Sequence, residues 1–414
     1  RATADSFVSV SLGNFSDPES GVQEYQLCVS SAIFPTDCDL SAWSTIVAGN
    51  ESETATLTFN ASAVSNGEQL IVLVRAFNRA GGFTDVVSSI FVFDNTPPRA
   101  QPLPVLVSVL SAPHGYQTSS SLSVSWQAAI DDESGIAQYE FAVGSQLGWS
   151  DLLAFRSVGL ARSIQIANFS LNTGQTFFAT VRATNGAGLW ALEMSAAVRV
   201  DRTPPTAGSV SVSSNSAQTP SSSNSTLVYL VNSSAPLVSW SNFPASSGSA
   251  IAQYSFAIGE TPFGQQVQPF RSVGLNQSIT LDVATLASLE PAVPHFVTVR
   301  ATAASGLFVE SASSAFALDS TPPVAGVLCE GSCDHPLGFA AAAVVQTSWR
   351  DFFDLESGIA DYSVAVGTEP LLDDVQAWSS VGVASAANLS RPLGKSFVSV
   401  RARNGAGATV EAAS

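Results

Sequence analysis

The sequence predicts an all-β chain, a tandem array of four β-sandwich domains, on three observations. Asp94-Asn95-Thr96-Pro97-Pro98, Asp201-Arg202-Thr203-Pro204-Pro205 and Asp319-Ser320-Thr321-Pro322-Pro323 punctuate the 414 residues at intervals of 107 and 118. Between these marks one ordered set of short motifs recurs, the signature of stacked structural units. Within the units apolar and polar residues alternate in short runs, with turn residues about every 8 to 12 positions and no sustained 3.6-residue period.

Each element follows from its residues. A double proline cannot donate a ladder hydrogen bond and fixes φ, so it ends a closing strand such as Ala197-Val198-Arg199-Val200 and stiffens the link to the next unit. The boundaries this gives are 1–98, 99–205, 206–323 and 324–414. Early in each unit Ser121-Leu122-Ser123-Val124-Ser125-Trp126 alternates as a half-buried strand does, with the Trp inward, and Leu237-Val238-Ser239-Trp240 and Thr347-Ser348-Trp349 repeat its end. An acidic turn comes next, Asp131-Asp132-Glu133-Ser134-Gly135, echoed by Asp354-Leu355-Glu356-Ser357-Gly358 and Asp17-Pro18-Glu19-Ser20-Gly21. The third unit has Ser246-Ser247-Gly248-Ser249-Ala250 there. A strand of the pattern Tyr139-Glu140-Phe141-Ala142-Val143 follows, then a loop ending in an aromatic: Trp43, Phe155, Phe270 or Trp378. Late in the unit Val181-Arg182-Ala183-Thr184-Asn185-Gly186-Ala187-Gly188 reads as a strand running into a tight turn, with counterparts at Val74, Val299 and Val400. Ser9-Val10-Ser11-Leu12 matches the Trp126 strand, so the first unit is expected to enter at its second strand. The fourth is expected to stop before its closing strand, both truncated pieces of a longer parent. Residues 211–226 form a Ser-rich insertion, read as an exposed loop or edge.

Composition bounds the function classes. Only 12% of residues are charged and 45% are apolar, which excludes a disordered polyelectrolyte, and the longest apolar run, residues 337–345, is far short of the roughly 20 that span a bilayer. Sixteen basic against 33 acidic residues, a net charge of −17, argue against nucleic acid and anionic membranes as partners. Cys28 with Cys38 and Cys329 with Cys333 are two local pairs, read as short-range disulfides of an oxidising compartment. Eight Asn-X-Ser/Thr sequons, at Asn14, Asn50, Asn60, Asn168, Asn224, Asn232, Asn276 and Asn388, point to N-linked glycans and an extracellular or cell-surface location. Asn60, Asn168 and Asn388 are expected at one equivalent corner of three units.

The early strand ending in Trp, the Gly turn, Tyr-X-Phe-X-Val and Val-Arg-Ala-X-Asn-X-Ala-Gly together resemble fibronectin type III and related immunoglobulin-like repeats, over nearly the whole chain. Where that family carries a corner tyrosine, Leu70, Phe177, His295 and Ser396 stand instead. The resemblance implies spacers and adhesive modules of large cell-surface, matrix and appendage proteins. The excess of Arg over the single Lys395 suits a GC-rich genome, which with this resemblance extends the expectation to a mastigoneme-like protein of algal cilia.

Candidate chemistry is sparse. His114, His295 and His335 fall in three different units, and no Gly-X-Ser-X-Gly elbow, His-Glu-X-X-His helix or phosphate loop is present, so no enzyme and no cofactor is expected. Cys329, Cys333, Asp334 and His335 lack zinc-finger spacing, which favours the disulfide over a metal. Asp131, Asp132 and Glu133, with Asp201, are the candidate calcium ligands, set against the reading of solvated turn carboxylates. Arg75, Arg182, Arg300 and Arg401 are expected on an exposed sheet face in salt bridges rather than as a polyanion stripe. Leu281-Asp282-Val283 falls in a stretch read as alternating strand and is given no function. The expectation is a non-catalytic structural or adhesive string of modules whose partners are other extracellular proteins or copies of itself. A receptor ectodomain and accessory modules of a secreted enzyme are the alternatives.

Overall fold

The computed structural model describes residues 2–32, 38–48, 53–100, 107–112, 114–213, 227–231, 236–333, 335–336, 344–390 and 395–414. The chain divides into two compact units, Arg1–Arg202 and Thr203–Ser414. Each unit holds two β-sandwich modules, and each module is a pair of packed sheets.

The second module is the clearest. Leu122–Trp126 lies between Val107–Val109 and Ser163–Ile166 in a three-stranded antiparallel sheet. Facing it, Leu153–Gly159, Ile136–Gly144, Thr176–Asn185 and Trp190–Met194 hydrogen-bond in that order. This three-plus-four order is that of a fibronectin type III sandwich. Module three repeats it, with Ser209–Ser213, Leu237–Ser241 and Ser278–Thr280 against Gln268–Gly274, Ile251–Gly259, Phe296–Ala303 and Phe308–Ala312. Module four does so with Val327–Ser332, Val344–Arg350 and Ala386–Ser390 against Gln376–Gly382, Ile359–Gly367, Phe397–Asn404 and Thr409–Ala413. In module one, Phe7–Leu12 pairs with Glu53–Thr58 and faces Ser44–Val47, Val22–Ser31, Gln69–Asn78 and Phe83–Val87.

Two sequence expectations about strands change. Ala2–Thr3 runs parallel to Phe91–Phe93 just as Tyr116–Gln117 runs parallel to Val198–Val200, so the first module holds part of a strand ahead of Phe7–Leu12. Ser211 to Ser213, placed in a Ser-rich insertion, belong to the strand Ser209–Ser213, because their alternation with Val210 and Val212 suits a half-buried edge; residues 214–226 lie outside the described residues.

Period-two alternation fills four separate cores. Leu122, Val124 and Trp126 point inward while Ser123 and Ser125 do not, and they meet Tyr139, Phe141 and Val143 from the opposite sheet. Trp126, Trp240 and Trp349 are buried and sit 6.0, 5.8 and 5.6 Å from Tyr139, Tyr254 and Tyr362. Module one has Leu12 in place of the Trp, and Phe15 packs on Tyr25 at 5.4 Å instead. A Cβ at Gly208 or Gly326 would come within 2.2 or 2.1 Å of the Ser241 or Arg350 carbonyl oxygen, so only glycine lets the chain leaving the second and third Pro-Pro links lie against the end of the Trp strand.

At the corner positions Leu70, Phe177, His295 and Ser396 are all buried. His295 is 1% exposed, its ring 6.0 Å from Phe316, and burial pulls its pKa below the ordinary imidazole value. His114 lies in an exposed turn. Leu281-Asp282-Val283 is not strand: the strand stops at Thr280, and the Asp282 carboxylate accepts the Thr285 N–H at 2.8 Å as the cap of the helix Val283–Ala287. No helix among the described residues is long and apolar enough to cross a membrane.

Both expected disulfides are formed, Cys28–Cys38 and Cys329–Cys333. Cys28 points away from the sandwich core and packs with Ile71 and Leu73, so its bridge ties Cys38 to the outer face of the larger sheet. Replacing Phe256 (1% exposed) by Ala leaves a cavity at the centre of module three. It should cost about 3–5 kcal/mol in urea unfolding of that module.

Candidate functional site

The described residues bring their most elaborate polar network to the joints between modules. Two of the joints start from a local turn that module one also carries. Asp131 accepts the Ser134 and Gly135 N–H groups at 2.9 and 3.0 Å, and Gly135 takes a φ of 69° that closes the turn. Asp354 does the same for Ser357 N–H at 2.7 Å, with Gly358 also at 69°. Asp17 accepts Ser20 N–H at 2.7 Å, with Gly21 at 74°. Backbone and amide donors hold the Asp17 carboxyl down at about 2, the Ser20 N–H first and the Asn78 side chain next.

Into this turn comes the end of the preceding module. Asp94 follows the closing strand Phe91–Phe93 and is completely buried. Its Oδ2 accepts the Ser134 hydroxyl and the Asn185 Nδ2, the latter at 2.8 Å, and its Oδ1 accepts Thr96 N–H at 3.1 Å. Asn185 Nδ2 also reaches the Thr96 carbonyl at 3.0 Å and Asp131 Oδ2 at 3.0 Å, so one amide clamps three acceptors from two modules. Its own Oδ1 takes the Ala187 and Leu189 N–H groups of the tight turn, which fixes the amide's orientation.

The joint between modules three and four repeats this arrangement. Asn404 Nδ2 meets Asp319 Oδ2 at 2.9 Å, the Thr321 carbonyl at 3.1 Å and Asp354 Oδ2 at 3.1 Å, and the Ser357 hydroxyl donates to Asp319. Here Glu356 adds a second grip, accepting the N–H and hydroxyl of both Ser320 and Thr321 at 2.6 to 2.9 Å. Burial opposes charge on Glu356, but those donors prevail and hold its carboxyl at about 2. Asp319 is pushed up to about 6, mainly by burial, with Glu356 and Asp354 beside it. At the first joint Glu133, in the position of Glu356, accepts the Thr96 hydroxyl at 3.5 Å; within module one Asn66 accepts Asn95 N–H at 2.8 Å, and the exposed Arg99 and Asp132 pair at 3.0 Å.

The calcium candidates are therefore rearranged. Carboxylate oxygens of Asp94, Asp131 and Glu133 converge within 4.8 Å, whereas Asp132 turns outward to Arg99. Asp94 entered no sequence-based ligand set, because 37 positions separate it from Asp131. The oxygens of Asp94 and Asp131 already face amide and hydroxyl hydrogens, so a cation there would have to displace the Asn185 amide. Module three carries Ser246 and Ala303 where module two has Asp131 and Asn185, losing both halves of the clamp together.

A second repeated feature covers the outer face of each larger sheet. Arg75, Arg182, Arg300 and Arg401 pair with Asp85, Glu140, Glu310 and Glu411 at 2.8, 2.7, 2.6 and 2.6 Å, as the alternation predicts. The loop-end aromatics complete the site. Each guanidinium lies over Trp43, Phe155, Phe270 or Trp378, at 5.1, 4.5, 3.9 and 4.1 Å from the ring centroid. In the first three modules the guanidinium also lies over a second ring, Phe83, Trp190 or Phe308, at 4.4, 5.8 and 4.5 Å. Each Arg and its loop-end ring lie 23 to 32 positions apart in the sequence (401 − 378 to 75 − 43), and strand pairing is what brings them together.

Of the sequons, Asn14, Asn60, Asn168, Asn276 and Asn388 are exposed, and Asn50, Asn224 and Asn232 lie outside the described residues. The common corner does not hold for all three aligned sequons. Asn60 caps a short 3-10 turn and Asn168 sits past its strand at a φ of 56°, but Asn388 lies inside the strand Ala386–Ser390 opposite Gln346. Asp334 and the His335 side chain also lie outside the described residues.

No family model matches the chain, and no curated relative does. Similar arrays occur among solved structures. The chicken CNTN1 FN1–FN3 domains match at 15% identity, over 77% of this chain and 98% of that one, with a TM-score of 0.26. A Ca2+-stabilized adhesin that helps an Antarctic bacterium reach out and bind ice matches at 16%, over 99% and 93%, with 0.33. The fibronectin(III)-like modules of Clostridium thermocellum CbhA match at 11%, over 52% and 95%, with 0.31.

The raised Asp319 sets a pH dependence. A carboxyl whose folded pKa lies above its unfolded value contributes stability at low pH that is lost as pH rises, so denaturant stability of modules three and four should fall between about pH 4 and 6. Glu356 acts oppositely, its contribution being lost as pH drops from about 4.5 to 2. Asp319→Asn should flatten the upper slope and leave the lower one in urea titrations across pH. On the outer face, Trp378→Ala should destabilise module four by roughly 0.5–1 kcal/mol, with a salt dependence weaker than that of Glu411→Gln.

Proposed function

We propose that this chain is a non-catalytic extracellular structural or adhesive segment, a string of N-glycosylated β-sandwich modules that spaces or assembles a surface structure or filament. The observation that carries the reading is the recurrence of one buried Asp–Asn–Asp clamp at two joints, Asp94–Asn185–Asp131 and Asp319–Asn404–Asp354. A protein whose task lay in one loop or cleft has no use for the same costly polar burial at two separate joints. One that must hold successive modules in a fixed relation does. Two disulfides and exposed sequon asparagines support an oxidising, glycosylating compartment. The carboxylate-paired, ring-stacked arginines leave little basic surface for a polyanion. The partners of the string are copies of itself or other extracellular proteins.

Electron microscopy of the protein isolated from its native source tests the assembly role. Ordered filaments or sheets with an axial repeat matching stacked modules are expected. Isolated particles that saturate with a soluble ligand would overturn the reading. Asn60→Gln, Asn168→Gln and Asn388→Gln should each lower the mass of the secreted protein by one glycan, read by mass spectrometry.

A further inference from the structure

We propose that the first module presents an open socket for the Asp-X-Thr-Pro end of a further module of this kind. At two joints the receiving side is an Asp that closes a Gly turn, a Ser hydroxyl in that turn and an Asn amide at the end of a long strand. They are Asp131, Ser134 and Asn185, then Asp354, Ser357 and Asn404. Module one has the same three groups in the same geometry. Asp17 accepts Ser20 N–H at 2.7 Å and Asn78 Nδ2 at 2.9 Å, and Asn78 Oδ1 accepts Ala80 and Gly82 N–H at 3.1 and 2.8 Å.

What differs is the number of acceptors. Asn185 and Asn404 each give Nδ2 to a second Asp and a Thr carbonyl from the preceding module, whereas among the described residues Asn78 Nδ2 meets Asp17 alone. The Ser134 and Ser357 hydroxyls donate to that second Asp; among the described residues the Ser20 hydroxyl has only Asp17, at 3.4 Å. A recess of about 290 Å³ opens beside Asp17 and Asn78, bordered by Phe15 and Phe83. Glu19 stands where Glu356 grips Ser320 and Thr321. The occupant is thus specified chemically: a buried aspartate two residues before a threonine whose carbonyl is free, followed by proline, at the end of a closing strand. Module three, with Ser246 and Ala303, offers no such socket. The inference stands whether or not the string is adhesive.

The test uses the full chain extended ahead of Arg1 by a copy of residues 91–114. This sets the copied Asp 37 positions before Asp17, the separation of Asp94 from Asp131 (131 − 94). Tethering supplies the effective concentration that a free peptide lacks. In NMR spectra the Gly21 amide and the Asn78 side-chain amide should shift relative to an extension carrying Asp94→Ala in the copied segment, while those of Gly135, Asn185, Gly358 and Asn404 stay in place. The first module should also melt at a higher temperature with the Asp extension than with the Ala one, and Asn78→Ala should abolish that difference. Identical spectra and melting for the two extensions, with the four control resonances in place, would overturn the proposal.

Discussion

A carboxylate taken out of water has to find a donor for each oxygen, and the joints of this chain are organised around that requirement. Asp94 and Asp319 are buried where two modules meet, and the atoms that satisfy them come from both sides. Hydrogen bonds to a charged group contribute about 1.5–3 kcal/mol each, and losing one partner leaves the remaining charge stranded. The geometry is therefore close to all-or-none. The Gly turn exists because Asp131 or Asp354 gathers its N–H groups, and the Asn amide is aimed because its oxygen is held by the next turn. The Pro-Pro link then needs only to leave the joint in one direction, which its fixed φ does.

The two clamps share a centre and differ at the rim. At the second joint Glu356 reaches back over Ser320 and Thr321, and burial, with Glu356 and Asp354 close by, displaces the Asp319 carboxyl toward neutral pH. At the first joint the rim is the longer Glu133 contact, an amide and an exposed ion pair, and exposed pairs contribute little. One fold thus carries joints of different electrostatic character without altering the sandwich on either side.

The outer faces follow a separate logic. Each repeated Arg is exposed enough to be solvated, yet it is fixed between a carboxylate and one or two rings, so a planar cation rigidifies a sheet surface that would otherwise carry mobile side chains. Lysine, a compact charge without a stacking plane, would not serve there. This is a physical role for Arg at those four positions, beside any coding bias.

Much of this was legible in the chain. Period-two alternation ending in Trp126, Trp240 and Trp349 fixed which face is core. The spacing of Cys28 and Cys38, and of Cys329 and Cys333, identified both bridges, and the alternation of the arginines declared their outward face and a salt-bridging role, without naming the partners. Those features are local, and local periodicity carries them. The helix cap at Asp282 and the in-strand place of Asn388 were hidden because short segments look alike until a neighbour pairs with them. The clamp was half visible: the acidic turn and the Asn recur together and disappear together in module three, at Ser246 and Ala303. That Asp94 belongs with Asp131 and Asn185, and not Asp132, depends on groups 37 and 91 positions from it in the chain. The sequence by itself determined the sandwiches, their order and their inward residues, because burial is written in alternation. Only the tertiary structure decided what the joints are made of, because a buried charge selects its partners by proximity in space, which no period records.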